Sequence, residues 1–482
     1  MNKTLTGILA AALLWAGNPV PCRGEASAPQ HFGLNARAWL ETTDAAVPGR
    51  SKVFPAEVST LKPRLGEGAN PSRSAWSLAV EVVSENLGVW SISHYILRDP
   101  WSDISPETIR QNFTTGLVWD QDGLLMNCLA HPYHGSSYFN VARSSGLSFW
   151  ESVPFALGGS AMWETCLENE PASRSDLIFT TFGGVYYGEL FYRLTSRILD
   201  GRSRGLERAG RELAAFILNP ARGLQRLFGG DMFRYQPPAN DVGGPFKTRF
   251  FAGRTGVGSD PFVALTFRSG DPFNGQTKLG TFDFFVHRSR LRFGNSPSFT
   301  QSGYGYLGGT RFGREDAPDH VLGLFLNFDF HTTEAVRLGA SSLTGGLVSR
   351  FQLGTGARLE TALQFGATLL GGFDNPQVRK GPRMDRDYNF GSGAVAKVEA
   401  ALDLGKWGTL RTNFAQHYLV VLEGTPGVDQ AAFLEASYEI PVYKSWTVGV
   451  EVVDVRRLSN YRDVPDIRAD YSDYRMIAGV RF

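Results

Sequence analysis

Beyond its leader this chain of 482 residues has no uninterrupted apolar run of about 20, the length that a membrane helix needs. A helical membrane anchor is therefore excluded, but strands that are apolar only at alternate positions are not. Neither sign of charge dominates, since 48 Lys and Arg stand against 47 Asp and Glu. That balance offers no basic surface to a polyanion, so no nucleic-acid partner is expected. Cysteine is scarce, with three residues. Once a leader carrying Cys22 is removed, Cys128 and Cys166 remain. In an oxidising compartment they could pair; equally they could pack as small hydrophobes. No glycine loop of the kind that cradles phosphate is present. Gly158-Gly159-Ser160-Ala161 lacks the glycine after the serine that a nucleophile elbow uses, so serine catalysis has no support.

The two ends carry an address. Lys3 is followed by a mostly apolar run from Leu5 to Trp15 and then by small residues, which predicts a signal peptide over 1–28, cut around Cys22 to Ala28. Asn18-Pro19-Val20-Pro21 makes a poor lipoprotein processing site, so no lipid anchor is expected. At the other end Tyr474, Met476, Ala478, Val480 and Phe482 share one face. Asp473, Arg475, Gly479 and Arg481 share the other, with Ile477 as the one apolar intruder. In an exported chain this is the pattern of the last strand of an outer-membrane barrel. The expected location is the outer membrane of a Gram-negative bacterium. The expected partners are outer-membrane lipids and the barrel assembly machinery, which would read Phe482. The oligomeric state stays open.

Between these ends the chain divides into four stretches. Residues 29–99 read as an extended or irregular segment, rich in Pro, Ser, Gly and charge in its first part and mixed from Ser74 to Ile96. Residues 100–200 form a helical domain. Ser105-Pro106-Glu107 is a helix start with Ser as cap and Pro at the first position. Asn127 to Ser144 reads as helix or loop and helix. Ser148 with Glu151 has capping-box spacing and opens a helix to about Glu168. Ser173 with Asp176 repeats that spacing before a helix from about Leu177 to Ile198, on which Gly184 and Gly188 form a small face suited to close helix contact. Residues 201–244 are a basic amphipathic linker that fits a membrane surface, the barrel rim or a solvated helix.

From 245 to 482 the apolar period becomes two. Leu322, Leu324, Leu326, Phe328 and Phe330 alternate with Gly323, Phe325, Asn327 and Asp329. The same holds over 358–369, 396–404 and 432–440, and further strands are expected to begin near 248, 261, 280, 304, 336, 347, 410 and 446. Charges recur on one face of strand after strand, where a sandwich core would be apolar. About 238 residues at about 20 per strand and turn give about 12 strands. The fold class is therefore α+β: a polar-lined helical domain followed by an antiparallel transmembrane β-barrel.

The helical stretch also carries recognisable text. It reads Trp119-Asp120-Gln121-Asp122, then His131-Pro132-Tyr133-His134-Gly135-Ser136-Ser137-Tyr138-Phe139-Asn140, then Ala142-Arg143 and Phe149-Trp150-Glu151-Ser152. Trp163-Glu164, Glu168, Asp176-Leu177, Gly183-Gly184, Gly188-Glu189 and Tyr192-Arg193 follow. Over about residues 105–200 this resembles a bacterial family known as domain of unknown function 3943. The resemblance implies an exported outer-membrane protein and brings no activity with it.

Two constellations could carry chemistry. His131, His134, Glu164, Glu168 and Asp176 supply two imidazoles and three carboxylates for acid–base catalysis. A divalent metal at His131, His134 and Glu164 is the alternative, but the spacing matches no established metal signature, and no cofactor is expected. Each residue also has a purely structural role open to it: Asp176 as a helix cap, and His131 as a donor holding two helices together. Tyr138, Arg143, Trp150, Trp163, Glu189 and Arg193 form the second set, a ligand-binding surface for an anionic or sugar-bearing molecule. Glu189 and Arg193, four apart, could instead simply pair. The leading expectation is a barrel closed by its helices, as a lumen plug by preference or a periplasmic cap, with a structural, binding or transport role. The alternative is an envelope hydrolase or transferase acting on lipid or glycan.

Overall fold

The computed structural model describes residues 73–234, 245–274, 279–295, 297–314, 318–354, 356–378 and 386–481. All of them fall in one compact unit, Val58–Phe482. The expected signal peptide, Cys22, the rest of the stretch up to residue 72 and the terminal Phe482 lie outside the described residues.

Eight helices precede the barrel among the described residues. The first, α1 (Ala75–Ser91), starts on Ser74, whose side chain accepts the Ser77 amide. Leu78, Val82 and Asn86 are its buried positions. This four-residue spacing makes a helix where the mixed composition suggested irregular chain. α2 (Pro106–Thr115) opens on the expected Ser105 cap. α3 (His131–Arg143) follows a π-helical turn at Met126–Ala130. α4 (Phe149–Cys166) opens on the Ser148–Glu151 capping box. The short α5 (Arg174–Ile178) and α6 (Gly184–Ile198) are joined by a π-helical segment, Phe179–Gly183. The basic stretch folds into α7 (Gly205–Leu218) and α8 (Pro220–Phe228). No described helix is long and apolar enough to cross a membrane.

α3 and α6 cross where both are glycine. A Cβ on Gly184 would lie 2.6 Å from the Gly135 carbonyl carbon, and one on Gly188 would lie 2.5 Å from the Phe139 ring. The small face read on α6 is therefore the seat of α3.

Twelve antiparallel strands close into a barrel. They are β1 (Phe246–Thr255), β2 (Pro261–Ser269), β3 (Phe285–Arg292), β4 (Ser298–Gly313), β5 (Pro318–Thr332) and β6 (Arg337–Leu353). β7 (Ala357–Asp374), β8 (Tyr388–Asp403), β9 (Thr409–Glu423), β10 (Gly427–Tyr443), β11 (Trp446–Tyr461) and β12 (Ile467–Arg481) complete it. The strand starts expected near 336 and 347 belong to one long strand, β6, because no turn separates them. β1 closes on β12 with Phe250 opposite Val480. In β7 one extra residue at Leu369–Leu370 shifts the pairing, so Thr368 faces Gly393 and Gly371 faces Gly391.

Ion pairs tell the inner face from the outer. Lys397 of β8 meets Asp329 of β5 at 2.7 Å, a contact between non-neighbouring strands that has to cross the interior. Asp329 and Asn327 thus point inward, and Leu322 to Phe330 at even positions point outward. Leu322 and Leu324 are exposed, yet Leu326, Phe328 and Phe330 are buried. The helices cover them. Tyr186 of α6 stacks on Phe328 with ring centroids 5.6 Å apart, and its hydroxyl lies 3.0 Å from His287 Nδ1 of β3. Trp119 stacks on Phe390 of β8, and Asn127 donates to the Tyr388 hydroxyl at 2.7 Å. Cys128 fills the space over Gly339 of β6, and neither Cys128 nor Cys166 is in a disulfide.

The expected lumen plug is therefore not what the helices form. The wall positions they touch alternate with those that face the interior, so the helical domain packs on the outside of the barrel. The physical reason lies in the interior itself, across which its own charged and aromatic side chains already reach. Away from the helices the outer face is apolar toward the end where β1 starts. Leu363 and Phe365 on β7, Ile440 and Val442 on β10, and Val448 and Val450 on β11 are all exposed there. On β11 it turns polar further along, at Asp454 and Arg456.

Gly135→Ala tests the glycine crossing. The new methyl would overlap the Thr180 carbonyl oxygen. Overpacking of this kind is expected to cost about 1–3 kcal/mol, measured as a lower midpoint of tryptophan-fluorescence unfolding in denaturant. An unchanged midpoint would show that α3 is not held at contact distance from the Phe179–Gly183 segment that leads into α6.

Candidate functional site

The C-terminal end of α4, the start of α3 and the cap of α5 meet in one buried spot. The Ser173 hydroxyl caps α5 by accepting the Asp176 amide at 3.1 Å. The Ser173 amide in turn donates to Glu164 Oε2 at 2.9 Å, which ties α4 to the cap. Glu164 is 1 % exposed and Asp176 3 % exposed. His131, the first residue of α3, brings Nε2 to 3.9 Å from Asp176 Oδ1, an oxygen that has no hydrogen-bond partner. Asn112 of α2 donates to the Glu168 carbonyl at 2.8 Å and holds the end of α4 in place. The Glu168 carboxylate accepts the Trp163 indole N–H.

These carboxyls are held in their protonated form. Burial pushes Glu164 well above the usual range, and ionising Glu168 or Asp176 beside it would push it further. Burial does the same to Asp176, with Asp120 adding to it. Glu168 is raised by burial to about 8; His131 pulls it down and Asp176 pushes it up. Among the described residues no Lys or Arg pairs with any of the three. The arrangement is thus a store of acidic protons beside an imidazole, the ingredients of general acid–base chemistry.

His134 sits apart from this group. Its Nε2 lies 2.9 Å from the Tyr138 hydroxyl, which donates onward to Asn86 Oδ1. With the tyrosine proton committed to Asn86, Nε2–H of His134 is the donor in that contact. Burial lowers His134 to about 3, so it stays neutral. Its ring rests edge-on against Trp163, with centroids 4.9 Å apart, and Trp163 is the link to Glu168. Of the five residues read as catalytic, four fall in one buried cluster, and His134 reaches it through Trp163. No group of three or more His, Cys, Asp and Glu is placed to hold a metal ion among the described residues.

The six residues read as a ligand surface fall in three places. Tyr138 and Trp163 both contact His134. Arg143 and Arg193 both donate through Nε to the fully buried Glu189 at 2.7 Å, and Arg193 continues to Asp283 at 3.2 Å. This triad pins α3 and α6 to the chain between β2 and β3. Trp150 is exposed and bonds Thr281 at 3.2 Å.

Three further residues that the motifs did not single out adjoin the cluster. Asp120 accepts from Asn127 and takes the Asp122 amide at 2.7 Å. Asn86 completes the Tyr138 chain. Glu85, raised by burial to about 7, stands near Ser137. Asp120 lies in the quoted family text and could have been found there. Asn86 and Glu85 lie on α1, outside it, and nothing in their spacing marks them.

Residues 116–221 match the family model described as domain of unknown function (DUF3943). No curated protein matches the chain. Among solved structures it is similar to OmpT (in-vitro folded), an outer membrane protein of Vibrio cholerae, at 8% identity and TM-score 0.17, covering 49% of this chain and 97% of that one. It is also similar to a bacterial polysaccharide outer membrane secretin, at 11% identity and TM-score 0.17, covering 50% of this chain and all of that one, 100%. At such scores the barrel stands on its own strand register.

The raised acids set a pH dependence. Glu168 has an ordinary value of 4.5 and a folded value of about 8. The folded state therefore binds the extra proton across that window, and stability falls as pH rises through it. The thermal midpoint of the detergent-solubilised protein, followed by tryptophan fluorescence, is expected to drop between about pH 5 and about pH 8. Glu168→Gln is expected to flatten that slope. Equal slopes in the two proteins would remove Glu168 as its source.

Proposed function

We propose that this protein is an outer-membrane β-barrel of the Gram-negative envelope with a structural and binding role. In this reading the barrel is a braced anchor, and the helical domain on its flank does the specific work. The observation that carries it is the set of ion pairs running between distant strands. Arg288 of β3 grips Glu399 of β8 through two bonds of 2.7 and 2.8 Å. Arg290 of β3 reaches Glu435 of β10 and Glu451 of β11, each at 2.6 Å. Arg268 of β2 reaches Glu360 of β7 at 2.7 Å. Bidentate pairs across a lumen obstruct it, whereas an open channel leaves its wall charges to water. The apolar outer belt supports a place in the membrane. The exposed stripe Trp76, Val80, Val83 and Leu87 on α1 gives the helical domain a surface for lipid or a partner.

One observation favours a second reading, an envelope hydrolase or transferase acting on lipid or glycan. It is the unneutralised acid group of Glu164, Glu168 and Asp176 beside His131. There His131 would serve as base, Asp176 would orient it, and a protonated glutamic acid would donate to the leaving group.

In planar bilayers the purified protein is expected to give no steady pore; a large, stable conductance would overturn the braced lumen. Arg288→Ala leaves Glu399 unpaired inside the barrel, at an expected cost of about 3–5 kcal/mol, read as a lower temperature for the heat-dependent gel shift. His131→Ala separates the two readings. Under the first it lowers heat stability; under the second it abolishes turnover of an envelope substrate and leaves the gel shift unchanged.

A further inference from the structure

Among the described residues, the interior charges do not balance at the end where β1 begins and β12 ends. Arg249 of β1 and Arg481 of β12 are direct cross-strand partners, so two guanidinium groups project inward side by side. Like charges in that position repel. A third, Arg411 of β9, faces the same space. All three turn to a single carboxylate, Glu439 of β10, which is fully buried. Arg249 bonds Glu439, Arg481 bonds its other oxygen at 2.8 Å, and Arg411 stands 3.4 Å away at ion-pair range. The Nε atoms of Arg249, Arg411 and Arg481 are all buried without a hydrogen-bond partner.

Among the described residues Glu439 neutralises one of these three cations and leaves two unbalanced. Its Oε1 lies 3.4 Å from Arg411 Nε as an ion pair without a hydrogen bond, so all three Nε–H groups are left without a hydrogen-bond acceptor among the described residues. Arg249, Arg411 and Glu439 line part of a cavity of about 120 Å³ within the barrel, which continues past Glu399, Glu435 and Glu451; Arg481 reaches Glu439 from outside that lining. A water takes about 30 Å³ in the liquid, so this space has room for a small oxyanion. Guanidinium N–H groups suit a tetrahedral oxyanion, because each can present a donor to a different oxygen.

We propose that Arg249, Arg411 and Arg481 form a phosphate-binding site inside the barrel, with Glu439 holding the three guanidiniums in place. The phosphate is either free in solution or the head of a phosphorylated lipid or sugar, and the chemistry at the three arginines is the same.

The test uses the full-length protein in detergent, with inorganic phosphate, glycerol phosphate and vesicles containing phosphatidic acid as separate probes and chloride as the control. Phosphate is expected to raise the thermal midpoint at equal ionic strength, and calorimetry to give a saturable isotherm. Arg411 makes no hydrogen bond to the protein, so Arg411→Gln is expected to keep the heat-dependent gel shift. Losing a charged donor is expected to weaken binding about tenfold or more. Arg411→Lys is expected to recover part of it. Saturation by inorganic phosphate identifies the free ion as sufficient; a response to the vesicles alone assigns the site to a lipid head. The same midpoint in phosphate and chloride, with no isotherm from any probe, overturns the proposal. So does binding that Arg411→Gln leaves intact.

Discussion

Charges that reach across the barrel are the constraint from which the rest follows. A guanidinium or carboxylate removed from water needs a partner close by, and in a narrow barrel the nearest partner is on the opposite wall. Arg288 and Glu399, Lys397 and Asp329, and Arg268 and Glu360 meet this need in pairs. Once they meet, the interior is occupied. Helices arriving from the amino-terminal side find little space inside and no free apolar surface there, since inward residues such as Leu338, Phe373 and Phe433 already pack on one another. The outer wall offers both, at Leu326, Phe328 and Phe330. The same alternation that places charges inside supplies the aromatic surface outside, so one pattern determines both the bracing and the docking.

Much of the barrel could be read from the chain because a strand period of two is a strong signal. The inward and outward faces of β5, β7, β8, β10 and β12 agree with the alternation, and even Ile477, the odd residue on its face, finds Phe251 and Phe262 inside. What the alternation could not tell was which outward residues meet lipid and which meet protein. Leu324 and Phe328 look alike as letters, yet one is exposed and the other sealed beneath Tyr186 and Tyr187. That difference depends on how whole elements dock. Strand ends blur for a similar reason, since β6 runs unbroken through two apparent starts.

The site was legible in part. Ser173 and Asp176 carried a cap signal, and the cap is what brings Glu164 to Asp176. Glu189 and Arg193 stood four apart on α6, but Arg143 joins them only because Gly135 and Gly184 let α3 and α6 touch. Asn86 and Glu85 were hidden because α1 lies far away in sequence and contributes through packing alone. The arginines at the barrel's end were hidden for another reason. Arg249 and Arg481 become neighbours only when the first strand meets the last.

The extra residue in β7 has a consequence for how this barrel can change over generations. Below Leu369 the even-numbered residues of that strand look inward, as Gln364 and Thr368 do; above it Phe373 does. The doubled leucine therefore works as a clutch between two gear trains. Losing one residue there would turn the far end of the strand inside out, presenting Phe373 to the helices and Leu370 and Gly372 to the interior. Elsewhere in the strand a single substitution alters one contact. At this step a single deletion exchanges the helix-binding wall for the lining of the lumen, so the length of the strand is under tighter constraint than its letters.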